Sequence, residues 1–257
     1  MTSLAEMIEG LEPADGGWRS SIPDTWLQGR TAYGGLSSAL ALTAAQRSDY
    51  DLPPLRSAQV AFVGPLSGGV MIRAQRLRRG RNAAWIQADI ESEAGLGLRA
   101  TFVFMRERES GVDHLVSAMP DFPAPDDRTL TVSGPLGVAF TRNFEFVDRH
   151  DGEGGPAEWL RWVRLRDRER LDPAVKLIAV ADCLPPAALK LAGGPAPVSS
   201  MTWQIDLLGT PHTTDGWYLL HAATGYAHAG VSSQRMAVWN HAGMPVAAQM
   251  QSVALFA

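Results

Sequence analysis

The chain has 257 residues, with 23 Lys and Arg against 27 Asp and Glu, a formal charge of −4, 46% apolar and 19% charged side chains. That is the balance of a folded globular protein, long enough for one large domain or two of half the size, and it argues against wholesale disorder. A mildly acidic chain lacks the basic field that nucleic-acid binding demands, and one cysteine, Cys183, allows neither an internal disulfide nor a thiolate zinc site.

In chain order, the opening MTSLAEMIEG has no basic region and no long apolar run. Neither a signal peptide nor a membrane span is expected, and a reducing cytoplasm is the default setting. Leu4 to Leu11 has the apolar spacing of a short helix, which Gly16, Gly17 and Pro23 break. Tyr33 to Ala45, YGGLSSALALTAA, is rich in Ala and Leu and predicts a buried helix behind paired glycines. Strands are predicted at Ser57–Val63 and Val70–Leu77, then a hairpin of Ala84–Glu91 and Leu98–Met105. Met119 to Gly137, with four prolines, reads as a linker. Beyond it come strands at Phe140–Val147 and Leu160–Leu165 and a helical stretch, Val175–Leu191, interrupted by Pro185 and Pro186. Further strands follow at Met201–Leu207 and Tyr218–Thr224, and a last hairpin pairs Ser232–Trp239 with Val246–Phe256.

The second half repeats the order of the first. Ser57 pairs by spacing with Ser200, Gly34 with Leu177, and Gly95 with Gly243. A helix followed by antiparallel strands, twice over, predicts two copies of one α+β unit. The expected division is 1–118, a linker at 119–137, and 138–257.

The chain resembles the double hot-dog acyl-CoA thioesterase family of type II. The resemblance rests on Gln28-Gly29-Arg30-Thr31-Ala32-Tyr33-Gly34-Gly35 before the first helix, Phe62-Val63-Gly64-Pro65, Arg79-Gly80-Arg81-Asn82, Ala179-Val180-Ala181-Asp182, and Val246 to Gln251 near the end. It implies two fused hot-dog units, each a helix wrapped by a curved antiparallel sheet, and an acyl-CoA or other acyl thioester as substrate. No cofactor is implied beyond the CoA carried by the substrate, and a homo-oligomer stays open.

Thioester hydrolysis needs a polarised carbonyl, an activated water and a slot for the acyl chain. Gly34 and Gly35 suit the first need, because bare backbone at a helix start presents N–H donors at close range. They also suit tight helix–sheet packing. The resemblance implies a water held by an Asp, a hydroxyl and a Gln. By position the Gln is Gln251, the hydroxyl is Thr224, and the Asp falls on Ser200, or on Ser199 one residue away. Serine orients water but is no base at neutral pH. Three readings follow: a positioned water alone, replacement by Asp206 or Asp182, or a chain that binds acyl thioesters and hydrolyses them poorly. Asp182, inside LIAVADCLPP, reads first as a structural anchor and second as a site acid.

Arg79, Arg81 and Asn82 in the basic turn are the candidates for the CoA phosphates, with a solvated turn as the plainer reading. The second basic run, Arg161 to Arg170, is interleaved with Asp167 and Glu169 and reads as a salt-bridged strand end and loop. Trp203, Met236, Trp239 and Met250 supply core and channel wall. His114, His150, His212, His221, His228 and His241 show no ligand spacing, so no metal is expected, and His228 is the one candidate site histidine. No GxSxG elbow occurs. A hot-dog hydratase ranks below both hydrolase and acyl-CoA binder, for want of its Asp–His pair.

Overall fold

The computed structural model describes residues 2–115, 117–135, 137–148, 154–194 and 196–256. Helix α1 (Leu4–Glu9) opens on a capping box between Ser3 and Glu6. Then come β1 (Glu12–Ala14), β2 (Gly17–Ile22), the two-residue strands β3 (Leu27–Gln28) and β4 (Thr31–Ala32), and the long helix α2 (Gly34–Ser48). Strands β5 (Leu55–Phe62), β6 (Gly68–Arg79), β7 (Ala83–Ser92) and β8 (Gly95–Met105) complete the first half. The second half has β9 (Phe144–Asp148), β10 (Glu158–Leu165), helix α3 (Pro173–Ala181), β11 (Val198–Leu207), β12 (Tyr218–His228), β13 (Val231–Asn240) and β14 (Pro245–Leu255).

Apart from the β3–β4 pair, the strands form one twelve-stranded antiparallel sheet in the order β1-β2-β6-β7-β8-β5-β11-β14-β13-β12-β10-β9. The order is the same read inward from either edge, with corresponding strands of the two halves exchanged. The halves meet where β5 pairs with β11, from Ala61 opposite Thr202 to Ser57 opposite Asp206. Each half curves around its helix, and α2 packs on α3 across the seam. This is an α+β double hot-dog.

Such a helix has no solvent face. Every residue of α2 from Gly35 to Ala45 is buried, which is why its sequence carries small and aliphatic residues all round rather than an apolar stripe. Leu36, Leu40 and Leu42 are completely enclosed, each contributing about 2–3 kcal/mol of burial. Helix α3 starts on Asp172, whose carboxylate accepts the Ala174 and Val175 amides, with Pro173 at its first position.

Several expectations shift. The first helix ends at Glu9, and residues 12–22, for which no element was expected, form the β1–β2 hairpin at the sheet edge. The strand expected from Phe140 begins at Phe144, because Ala139–Asn143 form a tight 3-10 turn. The second helix ends at Ala181, before the Pro185–Pro186 pair, and resumes only as a 3-10 turn at Ala187–Leu191. Since α2 starts at Gly34 and α3 at Pro173, the counterpart of Gly34 is Pro173, not Leu177. Gly95 and Gly243 both take positive φ, 98° and 80°, in the equivalent hairpin turns. Leu136 of the expected linker and His150 lie outside the described residues.

Candidate active site

A cleft of about 780 Å³ opens at the seam between the halves. Its walls are the start of α2, the loop following β5, the start of β11 and the chain end at Phe256. Gly34, Phe62, Leu66, Asp182 and Ser200 face it, and the exposed Arg30 stands at its rim.

The floor is the N-terminus of α2. Tyr33 caps this helix with backbone alone, and the first intrahelical bond is donated by Ser37, to the Tyr33 carbonyl at 3.1 Å. The amides of Gly34, Gly35 and Leu36 therefore have no helical acceptor. The two glycines divide their work. A Cβ on Gly34 would stand 2.6 Å from Asp182 Oδ2 and 2.9 Å from the Phe62 ring, so this backbone touches the cleft. A Cβ on Gly35 would stand 2.7 Å from the Ala179 carbonyl and 2.5 Å from the Tyr33 hydroxyl, so this glycine permits the α2–α3 contact.

The carboxylate in the cleft wall is Asp182. It follows the last residue of α3 as its C-cap and is half-buried. Gln251 Nε2 donates to its Oδ1 at 2.8 Å. Burial pushes the Asp182 carboxyl up to about 7, against the opposing pull of the Gln251 hydrogen bond and the Gly35 amide. Tyr33 and Cys183, its titratable neighbours, are themselves held neutral by burial.

A carboxylate does stand in the cleft, but from a different element than position assigned it: Asp182 at the end of α3, not Ser200 of β11. Ser200 is a half-buried hydroxyl in the cleft wall, beside the bulge of β11 at Ser200–Thr202, with Ser199 next to it. Thr224 does not reach the cleft. Paired residues run Trp203–Gln251–Gln234–Thr224 across β11, β14, β13 and β12, so Gln234 stands between Gln251 and Thr224. Two strand spacings, about 10 Å, separate Thr224 from Gln251. Asp206 points to the other sheet face, accepting from Gln204 at 3.3 Å. Met250, expected in the core or channel, also points outward.

The basic turn is not brought to the cleft either. Arg79 binds Asp49 at 3.0 Å and the Tyr50 and Asp51 carbonyls, and Arg81 and Asn82 lie beyond it. Burial pushes the Asp49 carboxyl up, and the hydrogen bond and charge of Arg79 outweigh it, so it sits below the usual carboxylate range. The whole length of β6, about 35 Å of strand, separates Arg79 from the cleft loop. The second basic run is salt-bridged as expected, Arg161 with Asp148, Arg164 and Arg166 with Glu145, and Arg170 with Glu9. His228 is exposed, and no histidine lines the cleft among the described residues, which also hold no metal-binding cluster.

The counterpart cleft, of about 740 Å³, lies at the N-terminus of α3. Its helix amides are occupied by Asp172. The row opposite Ala58 holds Phe102 and Ile86 where the equivalent row opposite Trp203 holds the buried Gln251 and Gln234. Thr43 of α2 stands at the helical position of Asp182, its hydroxyl spent on the Ala39 carbonyl. The two clefts thus differ at the helix start: Asp172 caps α3 with its side chain, whereas α2 has no side-chain cap and has Asp182, held by Gln251, beside it.

Comparison with known proteins agrees with this fold. In solved structures the double hot-dog fold recurs over the whole chain. A hot-dog protein of unknown function from Alicyclobacillus acidocaldarius matches with a TM-score of 0.87 at 22% identity, covering 100% of this chain and 99% of its own. A candidate thioesterase II from Thermobifida fusca gives 0.83 at 17%, covering 99% and 98%. The acyl-CoA thioesterase II TesB2 from Mycobacterium marinum gives 0.73 at 18%, covering 98% and 96%. No curated protein sequence matches. Two family models do, the acyl-CoA thioesterase N-terminal domain over residues 22–105 and the acyl-CoA thioesterase C-terminal domain over residues 116–255. The chain belongs to the acyl-CoA thioesterase family.

Proposed function

We propose that this chain hydrolyses acyl-CoA thioesters in the Asp182 cleft. The observation that carries the reading is the split use of one carboxylate: Gln251 holds Oδ1 at 2.8 Å, while Oδ2 faces the bare backbone of Gly34. A water on Oδ2 would lie beside a carbonyl seated on the α2 amides. As the water oxygen bonds to the carbonyl carbon, its proton passes to Asp182 and the amides take up the negative charge on the carbonyl oxygen. The C–S bond then breaks, and the departing thiolate leaves with the proton that Asp182 gained. The products are the free acid and CoA. General-base catalysis supplies about 10²–10⁴-fold, and one well-placed amide about 3 kcal/mol. Ser200 offers a second hydroxyl for orienting the water. The acyl-binding alternative rests on a missing carboxylate, and Asp182 fills that need.

Thiol release tests this. Only ionised Asp182 accepts the proton, so kcat/KM is expected to rise with pH through about 7 and level off above it. A flat profile between about pH 5 and about pH 9, or no thiol release at all, overturns the reading.

Arg30 at the cleft rim is the cation placed to meet a CoA phosphate. Arg30→Ala is expected to raise KM for acyl-CoA about 10-fold with kcat nearly unchanged. The same acyl group on N-acetylcysteamine, which carries no phosphate, should show no such rise. An equal rise for both thioesters removes Arg30 from phosphate recognition.

A further inference from the structure

The hydrogen-bond chain at the site continues past Gln251. Gln251 Oε1 accepts from Gln234 Nε2 at 2.7 Å, and Gln234 Oε1 accepts from the Ala187 amide at 2.9 Å. Both carboxamides are buried on the inner face of the sheet. The direction of this chain is dictated by its far end. A backbone N–H can only donate, so the Gln234 oxygen must face Ala187. Its NH₂ must then face Gln251, whose oxygen is thereby engaged, and the Gln251 NH₂ is left to face Asp182. Either carboxamide alone could turn over, and a turned Gln251 would present an oxygen to Asp182, which only a protonated carboxyl could satisfy.

We propose that Gln234 is a positioning residue: anchored by the Ala187 amide, it holds Gln251 in the one orientation that donates to Asp182 and so keeps that carboxylate available as the base. This rests on the reading of Asp182 as the base. The anchor belongs to the 3-10 turn Ala187–Leu191, which follows the Pro185–Pro186 break just after Asp182. The same short segment therefore carries the base and the group that sets its partner. The groups facing Asp182 are consistent with such local control. Tyr33, at the start of α2, and the adjoining Cys183 are neutral, and Arg161 of β10 acts on Cys183. The row in the other half, Phe102 and Ile86, has no such chain.

The test uses the full-length chain with dodecanoyl-CoA and two variants. Gln234→Met keeps the side-chain shape and removes both hydrogen bonds. Ala187→Pro keeps both carboxamides and removes the anchor, its ring carbon taking the place of the N–H and pushing the Gln234 oxygen off it. The turn tolerates this, because Pro186 has ψ of 126° and the first residue of a helical turn needs no N–H. In both, kcat is expected to fall about 10-fold with KM within about twofold, a loss typical of small misplacement. In both, the acid limb of the pH profile is expected to move up by about one unit, the worth of one hydrogen bond to the charged form. Parental kcat and an unmoved acid limb in Gln234→Met overturn the proposal. If Gln234→Met does not fold, Ala187→Pro decides alone: a displaced limb supports the relay and an unmoved one ends it. Asp182→Asn separates the two readings, since parental activity there refutes Asp182 as the base whatever Gln234 does.

Discussion

In the Asp182→Asn protein, thiol release from acyl-CoA is expected to fall by about 10²- to 10⁴-fold while KM changes little, because Asn keeps the shape and cannot take a proton. The same variant is expected to be more stable than the parent in alkali. In the unfolded chain the Asp182 carboxyl titrates near 3.9, and in the folded chain it sits at about 7. Below about pH 4 both states hold the proton and burial of the carboxyl costs nothing. As pH climbs from about 4 to about 7, the unfolded chain gives up its proton first, so stability present in acid is lost across that window. Three units of displacement correspond to roughly 4 kcal/mol. Asn forgoes part of the Gln251 and Gly35 hydrogen bonding, so a net gain of about 2 kcal/mol at pH 8 is expected, vanishing near pH 4. Urea unfolding at the two pH values measures it. An inactive variant that is also less stable than the parent at pH 8 would make Asp182 an anchor rather than a base. A gain in stability joined to a loss of turnover is the signature of a group held against its own ionisation for function.

How far the sequence could be read depends on the range over which each signal acts. Helix α2 was legible because Ala and Leu without proline leave few other local structures, and the two late hairpins because Gly95 and Gly243 occupy left-handed turn positions. The β1–β2 hairpin was not, since three to six residues beside Gly and Pro give no periodicity, and only its place at the sheet edge orders it. Gly34, Gly35 and Gln251 could be singled out because a helix start and a terminal strand are local features, and the structure brings them together around Asp182. Thr224 failed because its place depends on strand register, and one intervening strand, carrying Gln234, moves it away from the site. The acid stayed open between Ser200's position, Asp206 and Asp182 for a related reason. Its counterpart was sought on β11, whereas Asp182 reaches the cleft from the end of α3. One signal was present: Pro185 and Pro186 end a helix within a turn, which puts Asp182 at the helix end rather than inside the helix. Gln234 carried a signal too, a carboxamide in phase with Ser232 and Met236 on the buried set of β13.

Gly34→Ala is the second substitution expected to act strongly, and it separates catalysis from packing. The backbone of Gly34 is ordinary helix, so alanine there carries no conformational penalty and is slightly favoured. The added methyl, however, would fall 2.6 Å from Asp182 Oδ2 and 2.9 Å from the Phe62 ring, nearer than carbon approaches either atom. Oδ1 is tied to Gln251, so the carboxylate cannot swing aside without breaking that bond. The methyl thus takes the space where the water must lie, and kcat is expected to fall at least about 100-fold with a midpoint of thermal unfolding within a few degrees of the parent's. Gly35→Ala should behave differently. Its methyl would press on the Ala179 carbonyl and the Tyr33 hydroxyl, whose 2.8 Å bond joins α2 to α3, so about 1–3 kcal/mol of stability is lost along with activity. Gly69→Ala, which meets nothing within 4 Å, serves as the control for a glycine replaced without consequence. If Gly34→Ala turns over at the parental rate, the space beside Oδ2 is not where the water sits, and the amides at the start of α2 lose their part in the reaction.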